Sequence, residues 1–226
     1  MRIGGTARYF AEARTKEDVE QAWNFSKENS LPLVLLGGGA NTIFADDTIE
    51  AFVLRIAADK VSIEGNRITV QSGKNLAMLL NELAEQSLDL SALTGIPGSI
   101  GGAVYGNAGQ GVDGVWIDSF LETVTVFSEG VWKEYTKEDC AFAYRESAFK
   151  HMQILPIIWE TVLTVPSKPK EEVQAEIERL LQKRFATQPH RKTSGSCFKS
   201  LPDGTRAWKL IDEAGLRGQS IGGIEV

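Results

Sequence analysis

Two glycine-rich stretches are the residues of this sequence best suited to bind a ligand. The first, Gly37-Gly38-Gly39-Ala40-Asn41, follows the apolar run Leu33–Leu36, and the second extends from Gly95 to Gly114. Glycines let a backbone approach a ligand closely, and successive free N–H groups suit a diphosphate. Taken alone, the first stretch is equally well explained as a tight turn, since neither a Rossmann nor a P-loop pattern is present. Together, the two stretches predict a long ligand, such as a dinucleotide, held between two small α+β units.

Few other side chains have the chemistry of a catalytic group. Arg145 carries a planar guanidinium suited to bidentate contact with a carboxylate, although taken alone a structural salt bridge is the simpler interpretation. Ser196 follows a glycine, as turn residues often do. Cys197 has no visible base and is interpreted as a small packing residue. The two histidines and two cysteines form no cluster at metal-ligand spacing, so we predict no metal site.

The composition is that of a globular protein and argues against several classes of function. Hydrophobic residues make up 42% and charged residues 24% of the 226 residues, and the net charge is −6. This balance argues against a nucleic-acid partner, because phosphate binding usually needs a basic surface. No apolar run is long enough to span a bilayer, and the first residues do not form a signal peptide. With no disulfide pattern either, we expect a cytoplasmic, monomeric protein without membrane insertion.

The spacing of apolar residues predicts alternating helices and strands of the α+β class. A Thr-x-x-Asp capping pattern at Thr15 begins one helix, and apolar residues at i, i+3, i+4 and i+7 from Leu76 indicate another. A charged helix is predicted to begin near Ser167, and Gly95–Gly114 is predicted to be a loop. The predicted strands are Leu33–Leu36, Ala51–Ile56, the hairpin Val61–Ile63 with Arg67–Gln71, the hairpin Thr123–Phe127 with Val131–Tyr135, and Ile154–Val165.

Six short motifs occur in the order that is typical of one enzyme family. They are RIGGTA at Arg2–Ala7, LGGGAN at Leu36–Asn41, GIPGSIGGA at Gly95–Ala103, YRESAFK at Tyr144–Lys150, GSCFK at Gly195–Lys199 and LIDEAG at Leu210–Gly215. The ordered set resembles the motifs of the UDP-N-acetylenolpyruvoylglucosamine reductases. The short span between Phe149 and Ile154 leaves no room for an inserted subdomain, so the chain resembles the shorter, type II branch.

The resemblance implies the two-subdomain FAD-binding fold of the vanillyl-alcohol oxidase/PCMH type, followed by an α+β substrate-binding domain. We predict FAD-binding subdomains at residues 1–56 and 57–166, a linking helix and basic linker at 167–194, and the start of the substrate-binding domain at 195–226. The pattern stops before the region that carries the family's catalytic Glu, and Glu225 does not match that position. We therefore expect a truncated third domain with exposed apolar surface and doubtful turnover.

The resemblance also implies a flavin-dependent reduction. In that family FAD receives hydride from NADPH and passes it to UDP-N-acetylenolpyruvoylglucosamine, which becomes the peptidoglycan precursor UDP-N-acetylmuramate. Arg145 matches the arginine that stabilises the developing enediolate, and Ser196 matches the serine that protonates it. Tyr144, Arg184 and Lys199 are expected to bind the substrate. The residues expected to bind FAD are Gly37, Gly38, Gly39, Ala40, Asn41, Gly95, Ile96, Pro97, Gly98, Ser99, Gly101, Gly102 and Ala103.

Two other hypotheses stay open. Ala40 stands where the family usually has Ser, which removes a hydroxyl contact to FAD that contributes on the order of 1 kcal/mol. Together with the absent Glu, this favours a catalytically impaired protein that holds FAD or a UDP-sugar without turnover. A flavoprotein oxidase of small alcohols would share the glycine stretches, but it has no reason to carry both YRxSxFK and GSxFK.

Overall fold

The computed structural model describes residues 4–109, 114–188 and 193–226. The chain divides into two compact units, Met1–Lys192 and Thr193–Val226. Both contain helices and strands, and the predicted α+β class is confirmed. The finer boundaries expected after Ile56, Pro166 and Ser194 stay predictions.

The first unit begins with a three-stranded parallel sheet of order β1-β3-β2. Its strands are β1 (Ala7–Ala13), β2 (Leu33–Leu36) and β3 (Ile49–Ile56). Helix α1 (Lys16–Glu28) connects β1 to β2, which run parallel on either side of β3. It begins where the capping pattern predicts, because Thr15 Oγ1 accepts a hydrogen bond of 3.1 Å from the Asp18 N–H. Strand β1 has no counterpart among the predicted strands, since its side chains show no two-residue alternation of exposure.

A five-stranded antiparallel sheet of order β4-β5-β8-β6-β7 follows. Its strands are β4 (Val61–Glu64), β5 (Arg67–Gln71), β6 (Leu121–Ser128), β7 (Val131–Thr136) and β8 (Ile157–Thr164). Both predicted hairpins are present, as β4–β5 and β6–β7. Strand β8 lies between β5 and β6, and nearly all of its side chains are buried. This central position explains its continuous apolar sequence.

Three helices complete the described part of the first unit. They are α2 (Leu76–Glu85), α3 (Ile100–Tyr105) and α4 (Lys170–Thr187). Helix α3 corrects the prediction of an uninterrupted loop, because Ile100, Ala103 and Val104 are buried at helical spacing in the core of the second sheet. Helix α4 begins later than predicted, since Pro169 disfavours helical backbone at the residue before it.

An aromatic cluster joins α1 to the second sheet. We call Trp23, Phe127, Trp132 and Trp159 the junction cluster. Trp23 lies edge-on to Phe127 with ring centroids 5.9 Å apart, and Trp132 lies 4.9 Å from Phe127 and 6.0 Å from Trp159. The indole N–H of Trp132 donates to Glu20 Oε1 at 2.6 Å. These contacts hold α1, and with it the first sheet, against the second sheet.

The second unit is small and mostly exposed. It contains α5 (Ala207–Glu213) and a short hairpin of β9 (Ser220–Ile221) and β10 (Ile224–Glu225). Several apolar side chains lie at its surface, including Ile221 at 88% exposure and Ile224 at 77%. In neither unit is any described helix long and apolar enough to cross a membrane.

Candidate functional site

The two glycine-rich loops lie against each other in the first unit. A Cβ atom at Gly38 would lie 3.0 Å from the Cα atom of Gly98, and one at Gly37 would lie 2.7 Å from Ser99 Oγ. A side chain at Gly38 would press on the backbone of the second loop, whereas one at Gly37 would displace the Ser99 hydroxyl. The structure therefore brings together two stretches that were predicted to bind FAD and that lie far apart in sequence.

Left-handed backbone at two glycines shapes the second loop. The φ angle is +77° at Gly95 and +111° at Gly98, values that residues with side chains rarely adopt. The Gly98 carbonyl accepts a hydrogen bond of 3.0 Å from the Leu76 N–H. This bond fixes the loop to the first residue of α2. The other predicted FAD-binding residues lie on the same two loops, with Ser99 and Ala103 buried, Ile96, Gly101, Gly39 and Ala40 half-buried, and Asn41, Pro97 and Gly102 exposed.

Free main-chain N–H groups lie where the loops meet. Within the described residues, the N–H groups of Gly38, Gly39, Ala40 and Gly98 donate no hydrogen bond. Free N–H groups in such a concave turn bind anions, and the diphosphate is the anionic part of FAD. The main-chain groups of the two loops therefore suit the diphosphate of a dinucleotide.

Arg145 lies in a tight turn with left-handed backbone. Its φ angle is +58°, and Ala143 and Glu146 on either side exchange main-chain hydrogen bonds of 3.0 and 3.2 Å. The Arg145 guanidinium donates from Nη2 to the Gly109 carbonyl at 2.9 Å. Left-handed backbone costs a non-glycine residue roughly 1–2 kcal/mol. Such strain persists only where surrounding contacts impose it, and it is common at functional sites.

The segment after α3 imposes this turn. Asn107 Nδ2 donates to the Ala143 carbonyl at 3.0 Å, and Ser147 Oγ donates to the Tyr105 carbonyl at 2.7 Å. Asn107 and Ser147 are each only 1% exposed. Neither residue was predicted to have a role from the sequence. An asparagine within a glycine-rich loop was the available signal, because asparagine tolerates left-handed backbone, and φ of Asn107 is +41°.

Tyr144 and Arg184, both predicted to bind substrate, lie in different surroundings. The Tyr144 ring packs on Trp116, with centroids 5.5 Å apart, beside the Arg145 turn. Arg184 lies over Gly95, where an added Cβ atom would come within 2.5 Å of Nε. Burial lowers the pKa of the Arg184 guanidinium, which forms no hydrogen bond or ion pair within the described residues. Its position next to the second glycine loop suits an anionic group bound at that loop.

Ser196 and Lys199 belong to the second unit. Both side chains are exposed, and Gly195 before them has a φ angle of +72°. Cys197 Sγ lies 3.2 Å from Ser194 Oγ. Arg191 and Lys192 of the basic linker lie outside the described residues, as do Arg2 of the first motif and Gln110-Gly111 of the second loop. No group of His, Cys, Asp or Glu side chains able to hold a metal ion occurs in the described residues.

Family models and relatives match the chain over both units. An FAD binding domain model matches residues 7–133, and a model of the UDP-N-acetylenolpyruvoylglucosamine reductase C-terminal domain matches residues 188–226. A UDP-N-acetylenolpyruvoylglucosamine reductase of Chlamydia pneumoniae is 36% identical over all of this chain and 73% of its own length. One of Bacillus velezensis is 32% identical over all of this chain and 75% of its own length. The chain belongs to the UDP-N-acetylenolpyruvoylglucosamine reductase family.

Solved structures agree with this membership. The reductase of this family from Thermus caldophilus is 32% identical and superposes with a TM-score of 0.81, covering 96% of this chain and 76% of that one. An alkyldihydroxyacetonephosphate synthase, at 17% identity and a TM-score of 0.50 over 70% of this chain and 31% of its own, shares the fold alone. The reductase family is an FAD-dependent oxidoreductase family, so the predicted enzyme class, fold and flavin cofactor are confirmed.

Proposed function

We propose that the chain reduces UDP-N-acetylenolpyruvoylglucosamine to UDP-N-acetylmuramate, with NADPH as reductant and FAD as the bound carrier, in the synthesis of peptidoglycan precursors. The observation that carries the proposal is Arg145, a strained and half-buried arginine held on the unit that contains the two FAD loops. Bound FAD would supply hydride transfer from NADPH to the substrate. Every other part of the chemistry falls to the protein's own side chains.

Arg145 has the properties needed to stabilise the product of hydride addition. Hydride arrival at the methylene carbon of the enolpyruvyl ether places negative charge on the substrate's C2 and carboxylate. A guanidinium offers two parallel N–H donors to a carboxylate, which a lysine does not. Among the described residues, the Arg145 guanidinium donates one hydrogen bond, from Nη2 to the Gly109 carbonyl. Its other donors are proposed to bind the substrate carboxylate.

Ser196 is proposed to donate the proton that completes the reduction at C2. A hydroxyl is a weak acid at neutral pH, but an enediolate is a strong enough base to take its proton. Ser196 is exposed in the second unit. Its role rests on its place in the family's GSxFK motif.

The remaining predicted contacts divide between sugar and cofactor. Tyr144 and Lys199 are proposed to bind the UDP-sugar, in keeping with their places in the YRxSxFK and GSxFK motifs. Arg184 was predicted to bind the substrate, and its contact with Gly95 places it nearest the FAD loop. We propose that it compensates the charge of a diphosphate bound there. A cytoplasmic location and a monomeric state remain predictions.

Anaerobic flavin spectroscopy tests the proposal. The purified chain, loaded with FAD, is mixed with NADPH and then with UDP-N-acetylenolpyruvoylglucosamine. We expect NADPH to bleach the visible flavin absorbance and the enolpyruvyl sugar to restore it. A flavin that stays bleached after the sugar is added would overturn the substrate assignment.

An arginine variant and its control test the role of Arg145 in the same assay. Arg145→Lys keeps the charge but loses the paired donors, and we expect reoxidation to slow on the order of 100-fold. Arg179 forms a two-bond ion pair with Glu176 on the exposed face of α4. Arg179→Lys makes the same replacement at that site and should leave both half-reactions unchanged.

A further inference from the structure

Lys150 contacts the turn that carries Arg145. Its ammonium Nζ donates a hydrogen bond to the main-chain carbonyl of Arg145. Lys150 is the last residue of a short 3-10 helix, Ala148–Lys150. Phe149 anchors this helix in the core with 1% exposure, and its ring lies edge-on to Tyr135 at 5.7 Å. The buried packing of Phe149 therefore fixes the backbone of Lys150 beside the turn.

The carbonyl of Arg145 points towards Lys150 only while the backbone of Arg145 is left-handed. If φ of residue 145 relaxed to a negative value, the following peptide would rotate and the bond from Nζ would break. The same rotation would displace the side chain from its 2.9 Å contact with the Gly109 carbonyl. A charged donor binds a carbonyl more strongly than a neutral one, so Lys150 opposes this relaxation more than a neutral hydrogen bond would.

We propose that Lys150 is a positioning residue that holds Arg145 in its left-handed conformation and thereby aims the guanidinium at the substrate carboxylate. The aim of the guanidinium rests on the proposed function, whereas the conformational role rests on geometry alone. Glu146 next to Arg145 is paired with His151 at 3.3 Å. Lys150 thus contacts the main chain of the turn, whereas His151 contacts the side-chain carboxylate of Glu146.

Hydrogen–deuterium exchange of the Glu146 amide measures how readily the Ala143–Glu146 turn opens, and it needs no catalytic assay. This amide donates to the Ala143 carbonyl at 3.0 Å across the turn. In Lys150→Met we expect it to exchange about 10- to 100-fold faster, the range for loss of one hydrogen bond from a charged donor. Unchanged exchange in Lys150→Met would overturn the proposal.

A second variant separates left-handed strain from general loosening. Glycine adopts left-handed backbone without cost, so the turn should stay closed in Arg145→Gly/Lys150→Met and keep its Glu146 amide protected. If the double variant exchanges as fast as Lys150→Met, the strain at residue 145 is not what Lys150 opposes. Lys170→Met, which removes the ion pair between Lys170 on α4 and Glu85 on α2, serves as control and should leave this amide unchanged.

The rates of the two half-reactions, flavin reduction by NADPH and flavin reoxidation by the enolpyruvyl sugar, show whether Lys150 affects how Arg145 contacts the substrate. We expect Lys150→Met to slow flavin reoxidation by the enolpyruvyl sugar on the order of 100-fold, the size of effect known for a displaced catalytic group. Reduction by NADPH should stay within about twofold of wild type, since Arg145 has no part in that step. Lys150→Arg, which keeps a charged donor, should restore most of the lost rate of reoxidation.

Equal slowing of both half-reactions would refute the proposal that Lys150 aims the Arg145 guanidinium at the substrate. If the wild-type protein does not reoxidise at all, the proposed function fails and the exchange experiment alone decides the role of Lys150.

Discussion

Gly38→Ala tests whether the contact between the two glycine loops is needed for FAD binding. The added Cβ atom would lie 3.0 Å from Gly98 Cα and 3.3 Å from Ser99 N, whereas ordinary contacts begin near 3.4 Å. The φ angle of Gly38 is not left-handed, so the substitution adds bulk without backbone strain. The second loop must therefore move by a few tenths of an ångström.

Such overpacking costs about 1–3 kcal/mol when the neighbouring atoms are backbone and cannot rotate away. If that cost falls on the cofactor-binding geometry, the Kd for FAD rises about 5- to 150-fold. If the loops also touch before FAD binds, part of the cost appears as lower stability of the apo-protein. We expect its unfolding midpoint to fall by about 2–4 °C for each kcal/mol.

Titration of the apo-protein with FAD, followed by quenching of flavin fluorescence, measures the affinity, and a thermal scan measures the stability. Gly106→Ala is the matched control, since its added Cβ atom would lie 3.5 Å from the Gly102 carbonyl, an ordinary contact. A Gly38→Ala protein with wild-type affinity and an unchanged midpoint would show that the loops do not need to touch.

Four further substitutions or treatments test individual residues. Ala40→Ser should tighten FAD binding by up to about tenfold, as one added hydroxyl contact permits, and the same titration measures it. Thr15→Ala should remove the cap of α1 at a cost of about 1 kcal/mol in urea unfolding. Hydrogen bonds from the N–H groups before α1 lower the pKa of the Asp18 carboxyl. The contribution of Asp18 to the free energy of unfolding is therefore complete above its unfolded pKa near 4, and it is lost as pH falls through the lower folded pKa. Unfolding of wild type and Asp18→Asn, compared as the pH is lowered, would show this loss. Burial raises the pKa of the Cys140 thiol to about 12, so iodoacetamide at pH 8 should label exposed Cys197 and leave native Cys140 unmodified, as peptide mass spectrometry can check.

Features with a local cause could be predicted from the sequence. The start of α1 depends on Thr15 and Asp18, which lie within one helical turn, and the structure contains the expected capping box. The hairpin β4–β5 depends on a turn that includes Gly65, where φ is +62°. The apolar run Ile154–Val165 indicated a strand, and the central position of β8 (Ile157–Thr164) in its sheet explains the run.

Features that depend on distant contacts could not be predicted. The helical spacing of α3 was hidden by Gly101 and Gly102, which are poor helix formers, and only burial against the second sheet stabilises it. The left-handed backbone of Arg145 could not be predicted, because the turn depends in part on distant contacts, from Asn107 to Ala143 and from Ser147 to Tyr105. The individual binding and catalytic roles assigned from the motifs stay predictions.

The junction cluster gives the first unit a built-in optical reporter. Three of the chain's five tryptophans belong to it, with Trp23 on α1 and Trp132 and Trp159 on the second sheet. Trp159 is only 3% exposed, so its indole emits from an apolar environment. Separation of the two sheets would admit water to these rings and shift their emission to longer wavelength. Intrinsic fluorescence therefore reports on the contact between α1 and the second sheet without an added label.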